Sequence, residues 1–381
     1  MKAENKGEEG SPHLRRGRNA RQRSTLKNVW LRTAATRLRA LALLLLLGGV
    51  AAPARAAAPP SPRDLLSEGR VDDAITSLQA RIGKSPGDAE AHHLLSRAYL
   101  LIEAWDKAVP SAERAVEFQP DNSNYHLWLG RAYGRKAEHS NFIKATGLAK
   151  KARKEFERAV ELNASNVAAR SDLAEYYMQA PGFLGGGKDK ARIQADEIAA
   201  RDKAAAHIVR ARLAEGDKDY PTAERELWQA IADSPQPAGH WLDLAAFYRR
   251  RGRLDDMEDA TNKAVAADKR KDPAILVQAA ALLLRAGRNL PGAAVLVRRA
   301  LSSPTSNEDA PSFQAHYLLG QALEKQGDKA GAEREYRAAL SLAKDYKQAQ
   351  KALKRLLWKG PPASHASQGA GVGTSPGEER S

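Results

Sequence analysis

The chain has 381 residues and contains no cysteine, which excludes a disulfide framework and lipid attachment at a cysteine. Its 61 basic and 46 acidic residues give a formal net charge of +15. The segment 1–56 holds 12 of the basic and 3 of the acidic residues, so the remainder carries only +6 (49 basic against 43 acidic). Basic and acidic residues alternate along this remainder, which is typical of a solvated surface and does not favour a nucleic-acid partner.

The segment 1–56 has the order of a secretory signal. A basic stretch precedes an apolar run over residues 41–50, and the small-x-small cleavage pattern Ala54-Arg55-Ala56 follows. The run is shorter than the roughly 20 residues that span a bilayer. We therefore expect cleavage after Ala56 and a periplasmic or secreted protein. A retained leader that anchors the chain in the inner membrane, facing the periplasm, stays open, as does a true start at Val29 instead of Met1.

Residues 57–344 are predicted to form about seven to eight helical hairpins. The motif Leu-Ser-x-x-Tyr at residues 95–99 returns as Leu-Gly-x-x-Tyr at residues 129–133. Small residues recur where the two helices of a unit would cross, and they allow close approach of the helices. A proline ends several units because it cannot continue a helix.

Two interruptions break this period. The unit that begins at Ser123 slips by ten residues across residues 135–146, which predicts a lengthened first helix or a longer loop. A later unit carries an insertion over residues 181–187, predicted to be a flexible connection with Asp189 as the cap of a helix that starts near Lys190.

The second interruption contains the pattern G-x-x-x-x-G-K, which ends at Lys188. A phosphate-binding loop needs Ser or Thr at the next position and a strand before the loop. Here Asp189 follows, and the loop joins two predicted helices. Nucleotide binding is therefore not predicted.

Apolar residues at helical spacing predict an amphipathic helix from Lys347 to Leu357. We expect this segment, within residues 345–358, to cap the last unit, because the end of a repeat array needs a cover. Residues 359–381 are rich in Gly, Ser, Pro and Ala and are predicted to be disordered.

A hairpin of about 34 residues with Leu-Gly-x-x-Tyr in its first helix resembles the tetratricopeptide repeat, and the insertion at 181–187 is similar to one in exported bacterial members. The resemblance implies an all-α fold, a right-handed α-solenoid of stacked helix-turn-helix units with a C-terminal capping helix. Histidines recur at the fourth position of several units, and we expect them to pack between helices rather than to bind metal: His92, His126, His207 and His316.

In this family the concave wall is formed by five positions of each first helix, and these positions carry ligand contacts. The resemblance therefore predicts a peptide-binding groove made of His93, Arg97, Leu127, Arg131, Arg135, Arg212, Leu242, Arg249, Arg250, Tyr317 and Gln321. Guanidinium groups beside apolar residues suit a protein or peptide segment with acidic side chains or a free carboxylate. Arginines that only solvate the surface are the alternative.

The predicted function is a scaffold or adaptor that binds a protein segment in this groove outside the cytoplasm. No catalytic residue, cofactor or metal ligand is predicted, because the repeats occupy the chain from Pro62 to Leu357. Two alternatives stay open: a membrane-tethered assembly factor of an envelope complex, and an accessory subunit that presents substrate to a separate enzyme.

Overall fold

The computed structural model describes residues 60–305 and 307–358. Within these residues the chain forms seventeen α-helices and one short 3₁₀ turn, without a β-strand. In the same part of the chain no helix has the length and apolar character required to cross a bilayer. The predicted leader and the predicted disordered tail lie outside the described residues.

The helices are, in chain order, α1 (Pro62–Ser67), α2 (Val71–Lys84), α3 (Ala89–Leu101), α4 (Trp105–Phe118), α5 (Ser123–Glu138), α6 (Phe142–Leu162), α7 (Val167–Gln179), α8 (Lys188–Ala199), α9 (Lys203–Gly216), α10 (Tyr220–Asp233), α11 (Ala238–Arg250), α12 (Leu254–Ala267), α13 (Pro273–Ala286), α14 (Leu290–Leu301), α15 (Ser312–Lys325), α16 (Lys329–Leu342) and α17 (Lys347–Leu357). Successive helices pair into hairpins from α3–α4 to α15–α16, and each hairpin packs on the next. This arrangement confirms the predicted all-α solenoid.

The repeated motif works through close packing of the two helices of a unit. A Cβ atom at Gly130 would lie 2.5 Å from the Phe156 ring, and one at Gly320 would lie 2.5 Å from the Tyr336 ring. The motif tyrosine then reaches back to the preceding hairpin, where the Tyr133 hydroxyl donates to Glu113 at 2.5 Å. The unit of α5 and α6 is thus held both internally and to its neighbour.

The histidines at the fourth position are held inside their own hairpins. His126 lies with Nδ1 2.6 Å from Glu155 and Nε2 2.8 Å from the Pro120 carbonyl. His207 and His316 make the same type of contact with a glutamate of the second helix. These contacts agree with the predicted packing role.

The first interruption lengthens both helices of one hairpin. Helix α5 has 16 residues and α6 has 21, against 14 in α4. The predicted lengthening of the first helix is present, but the second helix takes up most of the insertion. The hairpin therefore projects beyond its neighbours at the turn between Glu138 and Phe142, where Phe142 and Ile143 are exposed.

The second interruption is an ordered turn. The 3₁₀ turn Gly182–Leu184 buries the Leu184 side chain, and the Leu184 carbonyl accepts from the Tyr176 hydroxyl at 2.9 Å. The predicted cap at Asp189 is wrong, because α8 begins earlier and has Gly187 at its N-cap. Asp189 lies in the first turn, where a carboxylate still interacts favourably with the helix dipole.

The two ends of the described array pack on each other. Leu65, Leu66 and Val71 share one apolar cluster with Phe313 and Tyr346, near the other end of the chain. We call this packing, with the polar pairs that join the same two ends, the closing contact. It covers the faces of the first and last hairpins, which would otherwise expose apolar surface.

The closing contact includes two polar pairs. Asp72 accepts from the backbone N–H of Lys344 at 2.9 Å, and Glu103 is hydrogen-bonded to Gln348 on α17. At Gly69, with φ of +76°, a Cβ atom would lie 2.4 Å from the backbone nitrogen of Ser312. The backbone at Gly69, after α1, therefore packs directly against the backbone at the start of α15 in the last hairpin.

Helix α17 contacts both ends of the array. Leu353 and Leu356 pack on the cluster of the C-terminal hairpins, while Ala349 belongs to the cluster that includes the N-terminal helices. The helix occupies the segment predicted for it, and it serves as part of the closing contact as well as a cover for the last hairpin.

Candidate functional site

A pocket of about 690 Å³ opens between the first helices α5 and α7. Both interruptions border it: the lengthened hairpin supplies Arg135 and Ala149, and the ordered turn supplies Pro181 and Leu184. Four aromatic residues contribute to its lining, namely Trp105, Trp128, Phe156 and Tyr176. The pocket therefore combines apolar rings with charged side chains on the predicted concave wall.

Trp128 carries two arginines over its ring. The guanidinium carbons of Arg97 and Arg131 lie 4.4 Å and 4.7 Å from the ring centroid. Such cation–π contacts fix the planar guanidinium groups and leave their N–H edges to bind oxygen acceptors. Trp128 thus joins a groove position of one hairpin to a groove position of the next.

The His93 ring packs against Trp128 from the protein interior. It is 4% exposed, stacks on Tyr125 with ring centroids 4.8 Å apart and meets Trp128 edge-on at 6.0 Å. Burial, together with the positive charges of Arg97 and Arg63, lowers the pKa of His93 to about 3. The ring is therefore neutral at pH 7 and packs as an aromatic support for Trp128. The predicted ligand contact at His93 stays a prediction.

The arginines of the concave wall already have acidic partners in this chain. Arg131 pairs with Asp172 at 2.6 Å, Arg212 with Glu175, and Arg250 with Glu215 at 2.7 Å. In each pair one residue lies on a first helix and the other on the first helix of an adjacent hairpin. These pairs form a ladder along the wall, and an incoming carboxylate would have to exchange with one of the chain's own.

The remaining predicted groove residues are placed differently. Leu127 and Leu242 are 2% and 4% exposed and belong to the core, so a ligand could reach neither without displacing its neighbours. Tyr317 accepts from Gln321 at 2.8 Å beside the closing contact, and Arg249 lies half-buried with Nε lacking a hydrogen-bond partner. Only His93, Arg97, Arg131 and Arg135 come together around Trp128.

Sequence reasoning missed the aromatic lining of the pocket. Trp128 lies between two groove positions of α5, and an indole that is neither in the motif nor fully buried is a usable signal of a contact surface. Trp105 and Tyr176 approach the same space from α4 and α7. Their convergence depends on the packing of three hairpins and could not be inferred from spacing alone.

Among the described residues no group of three or more His, Asp or Glu side chains is placed to hold a metal ion. The chemistry of the pocket is that of non-covalent recognition: stacking on aromatic rings and charge-assisted hydrogen bonds.

Sequence models of the tetratricopeptide repeat match residues 65–132 and residues 313–346. No curated protein matches the chain. Similar solved structures include a tetratricopeptide protein of Thermus thermophilus (18% identity, TM-score 0.41, covering 49% of this chain and 98% of that one), one of Parabacteroides merdae (16%, 0.39, 77% and 95%) and yeast Tom70 (14%, 0.36, 77% and 88%). At these TM-scores the similarities carry no argument about function.

Residues 65–132 and 313–346 therefore match the tetratricopeptide repeat. The repeat fold is that of a scaffold for protein–protein interaction, and proteins built from this repeat bind protein partners and are generally not catalysts.

Proposed function

We propose that this protein is an interaction scaffold that holds a segment of a partner protein in the pocket around Trp128. The observation that carries the proposal is the meeting of both interruptions at one aromatic pocket on the concave wall. A regular array has shallow, similar grooves between its hairpins, whereas this pocket is large enough for one or two side chains of a bound peptide.

The partner's chemistry follows from the lining. The rings of Trp105, Phe156 and Tyr176 suit an apolar or aromatic side chain, and the N–H edge of Arg131 suits a neighbouring carboxylate. We propose a partner segment that presents an apolar anchor beside an acidic side chain or a free carboxyl terminus. Because Asp172 already binds Arg131, we expect the apolar anchor to supply most of the affinity.

We also propose that binding takes place outside the cytoplasm, on the support of the signal-like order of residues 1–56. N-terminal sequencing after cell fractionation tests this location. A periplasmic or secreted protein that begins at Ala57 supports the proposal, and a membrane fraction that retains residues 41–50 contradicts it.

Site-specific photo-crosslinking tests the binding site. A benzoyl-phenylalanine is placed at Gly134, which lines the pocket, or at Gly83 on α2; a Cβ atom at either glycine meets no other atom within 4 Å. We expect a discrete protein adduct from position 134 that is absent from position 83.

Trp128→Ala in the chain labelled at Gly134 should remove that adduct while circular dichroism shows unchanged helix content. Arg131→Glu with Arg135→Glu should weaken it as well. The same adducts from both label positions, or an adduct that persists in the Trp128 variant, would rule out the pocket as the binding site.

A further inference from the structure

An acidic side chain from the far end of the array lies on the concave wall. Glu308, in the segment between α14 and α15, forms an ion pair with Arg97 on α3, 211 residues away in the chain. The two side chains are only 19% and 18% exposed. A pair this well covered is screened less by solvent than the surface pairs elsewhere in the molecule.

The segment that carries Glu308 is held on both sides of it. Asn307 donates to Asp272 at 2.9 Å and accepts from the backbone N–H of Asp309 at 2.8 Å. Ala310 and Pro311 are buried next to the closing contact. The backbone around Glu308 is thus anchored, and its side chain is directed at the wall.

Arg97 needs a carboxylate at this place. Burial lowers the pKa of Arg97, and the charges of Glu308 and Asp309 act in the opposite direction. A guanidinium group that is removed from water and stacked on Trp128 is costly unless an anion satisfies its N–H groups. Whatever occupies the wall beside Trp128 must therefore supply an acidic group to Arg97, and in this structure the chain supplies its own.

We propose that Glu308 is an internal ligand of the concave wall, which occupies the Arg97 subsite until an acidic side chain of a partner replaces it. The proposal rests on the proposed function and specifies how access to the same site is controlled. The partner is a protein segment with a carboxylate next to its apolar anchor, because that carboxylate must satisfy Arg97 when Glu308 leaves.

Internal occupancy lowers the apparent affinity for the partner. A carboxylate held in the same molecule competes at a high effective concentration, so the partner's dissociation constant is divided by the fraction of molecules in which Arg97 is free. Removing the charge of Glu308 should therefore strengthen binding of an external acidic peptide. The gain that we expect is about tenfold, which corresponds to about 1.4 kcal/mol.

The test uses the full chain and a fluorescein-labelled hexaglutamate peptide, with binding followed by fluorescence anisotropy at low ionic strength. Glu308→Gln is compared with the unmodified chain and with Glu117→Gln. The control removes an equal charge from an exposed residue of α4, which is 58% exposed and pairs with Arg114. A hexaglutamine peptide reports binding that does not depend on charge.

We expect the Glu308→Gln chain to bind hexaglutamate about tenfold more tightly than the unmodified chain and Glu117→Gln. Addition of Arg97→Gln should cancel this gain. Equal affinities of the three chains, or tighter binding that survives Arg97→Gln, would overturn the internal-ligand proposal.

A melting curve and the crosslinking experiment separate the remaining explanations. If Glu308→Gln only lowers the melting temperature and leaves affinity unchanged, Glu308 is a structural residue and the proposal fails. If hexaglutamate does not bind the Glu308→Gln chain but the adduct at Gly134 persists, the internal ligand is refuted and the proposed function stands. Absence of that adduct from a chain that is labelled at Gly134 and otherwise unmodified refutes the proposed function itself.

Discussion

Phe313→Ala should open the closing contact while the rest of the array stays folded. Phe313 is fully buried, and its ring meets Tyr346 edge-on with centroids 4.9 Å apart. It belongs to the cluster that also contains Leu65 and Leu66 from the opposite end. Its removal leaves a cavity between the two ends, because neither end can collapse fully onto the other.

The magnitude follows from its burial. Truncation of a fully buried phenylalanine to alanine costs about 3–5 kcal/mol through lost transfer free energy and the remaining cavity. Phe247→Ala is the matched control, since Phe247 is 1% exposed and lies in the middle of the array on α11. Both variants should lower the free energy of unfolding by a similar amount, but only Phe313→Ala should separate the ends.

The absence of native cysteine makes the distance between the ends measurable. Spin labels on Thr76→Cys and Ser341→Cys report from exposed positions on α2 and α16, which contact each other. Double electron–electron resonance should give one short, narrow distance for the parent chain and for Phe247→Ala. Phe313→Ala should add a longer, broad component.

A broad distribution in the parent chain would show that the ends are not joined in solution. A narrow distribution in Phe313→Ala, together with an undiminished free energy of unfolding, would show that this side chain does not stabilise the closing contact. Either result would refute the reasoning from burial to closure.

Two further predictions concern packing and pH. Gly320→Leu should unfold the C-terminal hairpins well below the parent melting temperature, because the larger side chain overpacks against Tyr336. Gly147→Leu, at a helical glycine with open space around it, should not. Equal melting curves of the two variants would contradict the repeat register that places Gly320 at the helix crossing. For His93, the pKa of about 3 in the native state lies below 6.5 in the unfolded state, so the unfolded chain binds the proton between these values. The free energy of unfolding should therefore fall on acidification below pH 6.5, by up to about 1.4 kcal/mol per pH unit, and His93→Phe should remove this component. Urea denaturation at pH 7.0, 5.5 and 4.5 measures the free energy of unfolding of the parent chain and of His93→Phe. Parallel pH profiles of these two chains would count against a buried neutral His93 ring.

The helical hairpins are predictable because the residues that define each hairpin lie close together in the sequence. A small residue at the helix crossing of a unit leaves room for a large ring opposite, as the contacts of Gly130 with Phe156 show. The division of the first interruption between α5 and α6 is less accessible, since extra residues with helical periodicity can extend either helix. The start of α8 is misplaced by sequence reasoning because three glycines allow a sharper turn than a capping aspartate requires.

The closing contact could not be predicted from the sequence. Whether the two ends of a repeat array meet depends on the small rotation at each hairpin, and these rotations accumulate over the whole array. The separation of 211 residues between Arg97 and Glu308 also gives no periodic signal.

The candidate site is predictable only in part for the same reason. Family positions on α3 and α5 correctly bring Arg97, Arg131 and Arg135 towards one another on the wall. They do not reveal that Asp172 on the next first helix neutralises Arg131, because that pairing needs the actual offset between hairpins. Leu127 lies at a groove position by number, but its side chain is buried in the core.

Three departures from a regular array converge on Trp128. The lengthened hairpin lines one side of its pocket, the ordered turn at Leu184 lines another, and the closing contact brings Glu308 to the arginine stacked on its ring. Regular repeats pack into an array without any of these three features. Irregularities that served only as connections would be expected at unrelated places along the array. Because local rules are most often broken where a protein uses the result, their convergence supports the proposal that the Trp128 pocket is the binding site of this chain.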